Sequence, residues 1–506
     1  MSLIASKLGS GSVTRAIYTF AAGLVSLLIT PYLVHSLGDR MYGVWTLVAT
    51  LVGYYGILEL GLSQAVTRYV ARSLGSGDRE ECNCVFNTSL QIYSVLAGVV
   101  LVATAVCAAL APRFCRTAED AALFWRIILV LGTSVALQFP VRVFKGVLEA
   151  HLRFALTAGL DLLALGLRTA AIVGVLQLGY GVLGLAWVTF LAGIPSMVLT
   201  IYWTHKELPF LRLQRKYWKR ATAKTLFSYS AYAFIAQVAD ILRFQVDNLV
   251  VAAYLGLQAV THYSIGGRLA QSFADLSSAV LGVFPAVFSR LDGAQDFEGI
   301  RRTFLFASRI SVCTTAFIAF GLIAWGKPFL ARWIGPRFLD SYPVLVVLVL
   351  SFFLAVSQSP SVALLFGTSK HKFFALMNSI EGALNLVLSV ALVRRYGIVG
   401  VAVGTLIPMA LSKIVIQPIY LSRVSVIGYL EYVKTMARTL AIAATSLILP
   451  LVITVEFARP EYSSLVLIGA TSAILYFLPL WFFELSPRET RLLQDALWPR
   501  WWRTES

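Results

Sequence analysis

Residues 229–288 read YSAYAFIAQVADILRFQVDNLVVAAYLGLQAVTHYSIGGRLAQSFADLSSAVLGVFPAVF. The run divides at Leu255-Gly256-Leu257-Gln258-Ala259 into two hydrophobic stretches, about 229–254 and 260–288. Each is long enough to cross a bilayer as a helix, which takes about 20 apolar residues. Yet the first holds Gln237, Asp240, Arg243 and Asp247, and the second holds Arg268 and Asp275. Asp240, Arg243 and Asp247 are spaced i, i+3, i+7 and share one helical face; Arg268 and Asp275, two turns apart, share another. An ionised side chain near the bilayer centre costs at least about 2.5–3.5 kcal/mol. These charges must therefore face protein or water, and the stretch marks a polar interior.

Depth sharpens the point. At the helical rise, Asp247 lies about 10 Å before the end of its helix and Arg268 about 12 Å into the next, antiparallel one. An Asp247–Arg268 pair is geometrically open. It reads either as an ion pair that fixes helix register or as part of a substrate site.

The surrounding chain extends the same pattern. It has 506 residues, 58% hydrophobic and 13% charged, with a mean hydropathy of +0.77. Ordinary soluble domains carry about 25% charged residues. Long apolar runs recur from end to end, so the fold class is an all-α polytopic membrane protein. Fourteen helices are expected, at about 14–37, 42–67, 85–111, 121–148, 154–177, 182–203, 229–254, 260–288, 303–325, 341–367, 373–394, 398–421, 437–456 and 463–483. No small-residue cleavage site follows the first apolar run, which reads as a retained helix. The link between the sixth and seventh helices carries Lys206, Arg212, Arg215, Lys216, Lys219, Arg220 and Lys224. Most Lys and Arg fall in loops and helix ends on the N-terminal side, so both termini are expected in the cytoplasm. The net charge of +17 then reports topology and attraction to anionic headgroups, not nucleic acid. Residues 485–506 begin with the helix-start pattern Ser486, Pro487, Glu489 and continue with Leu492, Leu493, Leu497, Trp498, Trp501 and Trp502. They are expected to form a cytoplasmic amphipathic tail.

Chemistry-bearing motifs are scarce. The five cysteines are scattered and odd in number, which gives no disulfide framework. Cys82-x-Cys84 lacks zinc-knuckle spacing and the histidines do not cluster, so neither a metal nor a cofactor is expected. No Gly-Lys-Ser/Thr phosphate loop is present, which excludes ATP hydrolysis as the drive. No outward loop pairs His with a carboxylate, which argues against an enzyme.

The two halves of the chain repeat each other. His151-Leu-Arg-Phe-Ala-Leu156 meets His371-Lys-Phe-Phe-Ala-Leu376 at an offset of 220, as Pro140 meets Pro360 and Asp161 meets Glu381. Tyr180-Gly181 meets Tyr396-Gly397 at 216; Leu37-Gly38 and Asp78 meet Leu255-Gly256 and Asp296 at 218. Each repeat holds six helices. Six is even, so the repeats are parallel, related by an axis along the membrane normal, and should build two lobes around a central cavity. The expected divisions are 1–224 for the first lobe with its basic linker, 225–424 for the second, 425–484 for two added helices, and 485–506 for the tail.

With the repeat in place, a resemblance becomes specific. Leu37-Gly38-Asp39-Arg40-Met41-Tyr42-Gly43, Glu59-Leu60-Gly61-Leu62-Ser63-Gln64-Ala65 and Arg68-Tyr69 resemble the start of polysaccharide and O-antigen flippases. These belong to the multidrug/oligosaccharidyl-lipid/polysaccharide exporter superfamily. Val246-Asp247-Asn248-Leu249, Tyr254-Leu255-Gly256 and Tyr263 with Arg268-Leu269 resemble the opening of that family's second lobe. The likeness runs over nearly the whole chain.

The resemblance implies a non-enzymatic carrier that flips a polyprenyl-diphosphate-linked oligosaccharide across a bacterial inner membrane by alternating access. Membrane lipids, and a glycan polymerase or glycosyltransferase, are the implied partners. Arg268 and Arg243, joined by Arg15, are the leading diphosphate ligands, because a guanidinium can donate two hydrogen bonds at once. Asp247, Asp240 and Gln64 complete the substrate path. Tyr54, Tyr55, Tyr229, Tyr232 and Tyr263 offer faces for sugars, although most tyrosines of a membrane protein are expected to serve packing. Glu59, Asp161, Asp275 and Glu381 are left between two roles: holding interior bases in place, or taking up a coupling proton or cation. Two other classes compete. A multidrug-type antiporter would share the architecture, and a membrane polysaccharide polymerase or ligase would need catalytic groups that the loops do not supply.

Overall fold

A computed structural model describes residues 2–59, 61–114, 117–228, 230, 234, 246–281, 284–368, 372–457 and 461–483. Their secondary structure is helical, without strands among the described residues. Among the described residues, nine helical stretches, some joining neighbouring helices, are long and apolar enough to cross a membrane. The chain divides into two compact units, Met1–Thr261 and His262–Ser506. The tail 485–506 lies outside the described residues.

In the first unit, α1 (Ser2–Gly53) bends at Gly38, which has φ 74° and ψ 165°. A single helix is expected over 42–67, but the chain breaks there. A 3-10 turn spans Tyr54–Glu59, Gly61 is left-handed with φ 69°, and α2 (Leu62–Ser76) follows. The glycines at 53, 56 and 61 explain this: glycine favours helix interiors least among residues other than proline, and Gly61 alone adopts the left-handed turn without strain. Next come α3 (Arg79–Ala109), α4 (Ala111–Phe114), α5 (Ala118–Ala150), α6 (Phe154–Gln177), α7 (Gly181–Leu191) and α8 (Ile194–Glu207). A helix α9 (220–228) and α10 (Asp247–Leu255) complete the unit. The long helix α11 (Leu257–Leu281) runs from the last residues of this unit into the second.

The core of the first unit forms where α3 and α5 press together. Phe86 meets Phe144 edge-on with ring centroids 5.3 Å apart, and both are buried with Phe139, Val143 and Val147.

The second unit continues with α12 (Phe284–Gly293), α13 (Phe297–Ala324), α14 (Gly326–Trp333), α15 (Ser341–Ser357) and α16 (Ser359–Gly367). The expected helix 341–367 is interrupted at Gln358, just before Pro360, whose ring suits a first helical turn. Then α17 (Lys372–Ala410) bends at Gly397, a π-helical turn occupies Leu411–Ile416, and α18 (Gln417–Val424) closes the repeat. Last are α19 (Tyr429–Ser446), α20 (Ile448–Phe457) and α21 (Tyr462–Phe483). Phe288, Phe304, Leu364 and Tyr432 form one buried cluster of this unit.

The repeat is written in the backbone as well as the sequence. Gly38 (φ 74°, ψ 165°) and Gly256 (φ 92°, ψ 176°), 218 residues apart, take the same conformation before a new helix. Asp78 and Asp296, at the same offset, both cap a helix: Asp78 accepts from the Glu81 amide at 2.8 Å and Asp296 from the Gly299 amide at 2.7 Å. Each acidic cap satisfies an otherwise orphaned amide of the first turn. The residues just before the caps, Gly77 (φ 73°) and Gln295 (φ 54°), are both left-handed, and so are Gly181 (φ 61°) and Gly397 (φ 59°).

Candidate functional site

The most distinctive polar surface lies on α11. Its buried side is fixed by Gly266. A Cβ there would stand 2.8 Å from the Ser341 carbonyl oxygen and 3.0 Å from the Leu345 nitrogen, so only glycine lets α15 come this close. At the start of the helix, His262 Nδ1 lies 2.6 Å from Asp340 Oδ1, and its ring packs against Phe338 with centroids 5.0 Å apart. Ile265, Leu269, Ala270 and Phe273 are buried on the same side.

Arg268 follows Gly266 by two residues, about 200° round the helix, so it points away from α15. It is exposed, as are Gln271 and Asp275, which complete the spacing i, i+3, i+7. Gln271 Nε2 donates to Asp275 Oδ1 at 2.9 Å, and the Ser272 hydroxyl donates to the Arg268 carbonyl at 2.9 Å. A helix long enough to span thus buries its apolar side in protein and presents its polar side outward, which suits a wall of an aqueous cavity and not a lipid contact.

The first unit holds Asp247 as the opening residue of α10, buried at 4% exposure. Its neighbour Asn248 donates from Nδ2 to Thr50 Oγ1 at 3.1 Å, tying α10 to α1. Glu59, at the end of the 3-10 turn, accepts from the Tyr93 hydroxyl at 3.0 Å and from the Arg142 guanidinium. Arg142 also lies over the Phe139 ring, 4.9 Å from its centroid. Lys145 Nζ donates to Asp161 Oδ2 at 2.7 Å.

The second unit encloses a further pair. Glu381 and Lys413 are 3.6 Å apart and each side chain is 2% exposed. Ser412 donates to Glu381, while Lys413 Nζ lies 3.5 Å from Asn378 Oδ1 and 4.9 Å from the Phe374 ring centroid. The π turn at Leu411–Ile416 carries both Ser412 and Lys413. Such turns cluster at functional sites because they re-aim side chains without ending the helix.

The residues singled out from sequence thus fall into several places. Glu59, Asp161 and Glu381 each meet a base within their own unit, and Asp275 lies in the polar stripe with Arg268. Asp240 and Arg243 lie outside the described residues, as do the side chains of Arg15 and Gln64. Tyr229 and Tyr232 lie outside them too, whereas Tyr55 and Tyr263 are buried at 4% and serve packing. The sequence does not single out Arg142 and Lys145, which fall near the end of the helix expected over 121–148. The available signal was that α5 continues through both, so that acids elsewhere in the spans would need them.

Comparisons with known proteins agree with this architecture. A putative O-antigen transporter of Shigella flexneri is 22% identical over 440 residues, covering 80% of this chain and 97% of that protein. A probable low-salt glycan biosynthesis flippase of Haloferax volcanii is 25% identical, covering 78% of this chain and 79% of its own. The solved structure of the lipid II flippase MurJ in its inward closed conformation superposes with a TM-score of 0.69 at 15% identity, over 93% of this chain and 98% of the other. At that identity the likeness shows the fold. The family model described as "Polysaccharide biosynthesis protein" matches residues 36–343, more than half of the 506, and with that match this polytopic helical chain belongs to the polysaccharide biosynthesis protein family.

Proposed function

We propose that this protein is a non-enzymatic carrier that flips a polyprenyl-diphosphate-linked oligosaccharide across the bacterial inner membrane by alternating access. The observation that carries the reading is the outward polar stripe Arg268, Gln271 and Asp275 on a span-length helix. Relatives named as an O-antigen transporter and a glycan biosynthesis flippase, aligned over most of the chain, support it. A sugar diphosphate needs a polar path through the bilayer, while its lipid tail can stay in the hydrocarbon.

In this reading Arg268 grips the diphosphate with its two-pronged donor, aided by Arg243 and Arg15. Asp247, Asp240 and Gln64 line the path, and Arg268 alternates between substrate and Asp247. The lobes are 1–224 and 225–424, with 425–484 added outside the repeat and both termini in the cytoplasm, where basic loops favour them. Glu59, Asp161 and Glu381 serve chiefly to hold Arg142, Lys145 and Lys413, which leaves Asp275 as the acid best placed for coupling. A glycan polymerase or glycosyltransferase is the expected partner class, since the flipped product is a building block for surface glycan.

Glycan export tests the reading, with membrane abundance measured alongside. Arg268→Ala should abolish export at normal abundance, and Arg268→Lys should retain part of it. The double variant Arg268→Met/Asp247→Leu separates substrate binding from a register-setting ion pair, because such a pair can be replaced by packing. Wild-type export from that variant would refute the diphosphate role.

A further inference from the structure

Between α8 and α9 the chain runs as a strap across the N-terminal turns of α3, irregular over 211–214 and closing in a 3-10 turn at Arg215–Tyr217. Asn83 and Asn87, one helical turn apart, hold it through its backbone. Asn83 Nδ2 donates to the Phe210 carbonyl at 3.2 Å and its Oδ1 accepts from the Arg212 amide at 2.8 Å. Asn87 Nδ2 donates to the Arg212 carbonyl at 2.8 Å and its Oδ1 accepts from the Gln214 amide at 3.0 Å. Two side-chain amides thereby stand in for the edge of a neighbouring strand, satisfying backbone groups two residues apart.

Thr88 Oγ1 accepts from the Lys219 amide at 3.3 Å, and the Arg79 guanidinium lies 5.4 Å from the Phe210 ring centroid. Beneath the strap, Leu208 and Leu211 are buried with the Phe86 and Phe144 core. Asn83, Asn87 and Thr88 are themselves buried at 5%, 4% and 0% exposure.

What the strap presents outward is basic and apolar by turns. Arg212, Arg215 and Lys216 are exposed. So are Leu213, at 57%, and Trp218, at 42%. A loop that merely oriented the protein by its charge would need no buried asparagines to hold its path.

We propose that this strap is a built docking surface for the headgroups of anionic phospholipids. The chemistry fits that occupant. Guanidinium and ammonium groups at fixed spacing meet phosphate, Trp218 suits the headgroup level of a bilayer, and Leu213 reaches the acyl boundary. The inference does not depend on which substrate is carried, and its test reads lipid binding instead of transport.

The full chain in detergent is titrated with phosphatidylglycerol or phosphatidylcholine, and bound lipid is counted by native mass spectrometry. The wild type should prefer phosphatidylglycerol. Each surface Lys or Arg contributes about fivefold, so Arg212→Ser/Arg215→Ser/Lys216→Ser should weaken phosphatidylglycerol binding about a hundredfold and leave phosphatidylcholine unchanged. Asn83→Leu/Asn87→Leu keeps every charge but releases the strap, and should still weaken it at least tenfold. If that pair fails to fold, the single change Asn87→Ala, which removes the donation to the Arg212 carbonyl and the acceptance from the Gln214 amide while keeping every charge, supports the same comparison. Arg394→Ser/Arg395→Ser, which removes exposed charge away from the strap, should cost far less than the triple variant and leave the preference for phosphatidylglycerol. Retained preference in the triple variant, or in a folded asparagine variant, overturns the proposal. Displacement of the lipid by an equal concentration of inorganic diphosphate overturns the assignment to a headgroup.

Discussion

Gly43 on α1 faces the turn that opens α11, and nothing larger fits there. A Cβ at this position would lie 2.0 Å from the Leu257 carbonyl oxygen and 2.8 Å from its carbon. Because the obstacle is backbone, it cannot swing aside; in Gly43→Ala the turn must withdraw by about 1.4 Å to reach ordinary contact at 3.4 Å. Two hydrogen bonds cross the same seam, Thr261 Oγ1 to the Asp39 carbonyl at 2.6 Å and Asn248 Nδ2 to Thr50 Oγ1 at 3.1 Å. Losing both, at about 1 kcal/mol each, shifts the opening equilibrium of the seam by about 2 kcal/mol, or roughly thirtyfold. The assay is labelling of Val260→Cys by a membrane-impermeant maleimide, in a background without the five native cysteines. Val260 is fully buried in the intact seam, so Gly43→Ala should speed labelling by roughly thirtyfold. Thr261→Val, which removes one bond and adds no bulk, should speed it about fivefold. Labelling of Gly43→Ala within threefold of its parent, with unchanged melting, would refute the reasoning.

Further outcomes follow from other sites. Lys413→Met should destabilise the protein by about 3–5 kcal/mol by stranding Glu381 in the interior, and Lys413→Met/Glu381→Leu should regain most of it; thermal melting in detergent measures both. Gly266→Val should lift α11 off α15 and lower the melting temperature, at about 1–3 kcal/mol for overpacking, so an unchanged melt would contradict the close approach. For orientation, a reporter active only outside the cytoplasm should be silent when fused after Thr222 and active after Gly179. The opposite result would invert the topology.

The sequence made the helical membrane fold and the repeat legible because both rest on local signals. Apolar runs of span length need no partner to be recognised, and the loops between them repeat residues with strict backbone duties, as Gly38 and Gly256 or Asp78 and Asp296 illustrate. Long-range pairing was not legible. Glu59 and Arg142 are 83 residues apart, and nothing local to either names the other. The π turn at Leu411–Ile416 was not legible either, because it depends on which polar groups it brings together, whereas the break at Gly61 carried a local signal in the glycines at 53, 56 and 61. Asn83 and Asn87 read as ordinary polar residues near a helix start, where such residues usually cap. Only the path of the strap shows that they hold another segment.

The interior charges divide by what they meet, and the division bears on how such a chain can move. Glu59 with Arg142, Asp161 with Lys145, and Glu381 with Lys413 each join different segments of one unit. The Glu381–Lys413 pair, 2% exposed on each side, adds little net stability over apolar packing, but breaking it by moving one partner is strongly unfavourable; Glu59–Arg142 and Asp161–Lys145 are partly exposed and hold less firmly. Each pair ties together segments of its own unit, Glu381–Lys413 most firmly because it is the most enclosed of the three. The α11 stripe is different in kind, since Arg268, Gln271 and Asp275 sit on the side of the helix that packing leaves exposed. Polar groups there can change partners without disturbing the seat that Gly266 makes against α15. On the proposed reading, in which the α11 stripe grips and releases a diphosphate, a carrier needs that separation. Its structural charges should be locked in pairs, while the charges that handle cargo stay on a surface whose partners can be exchanged.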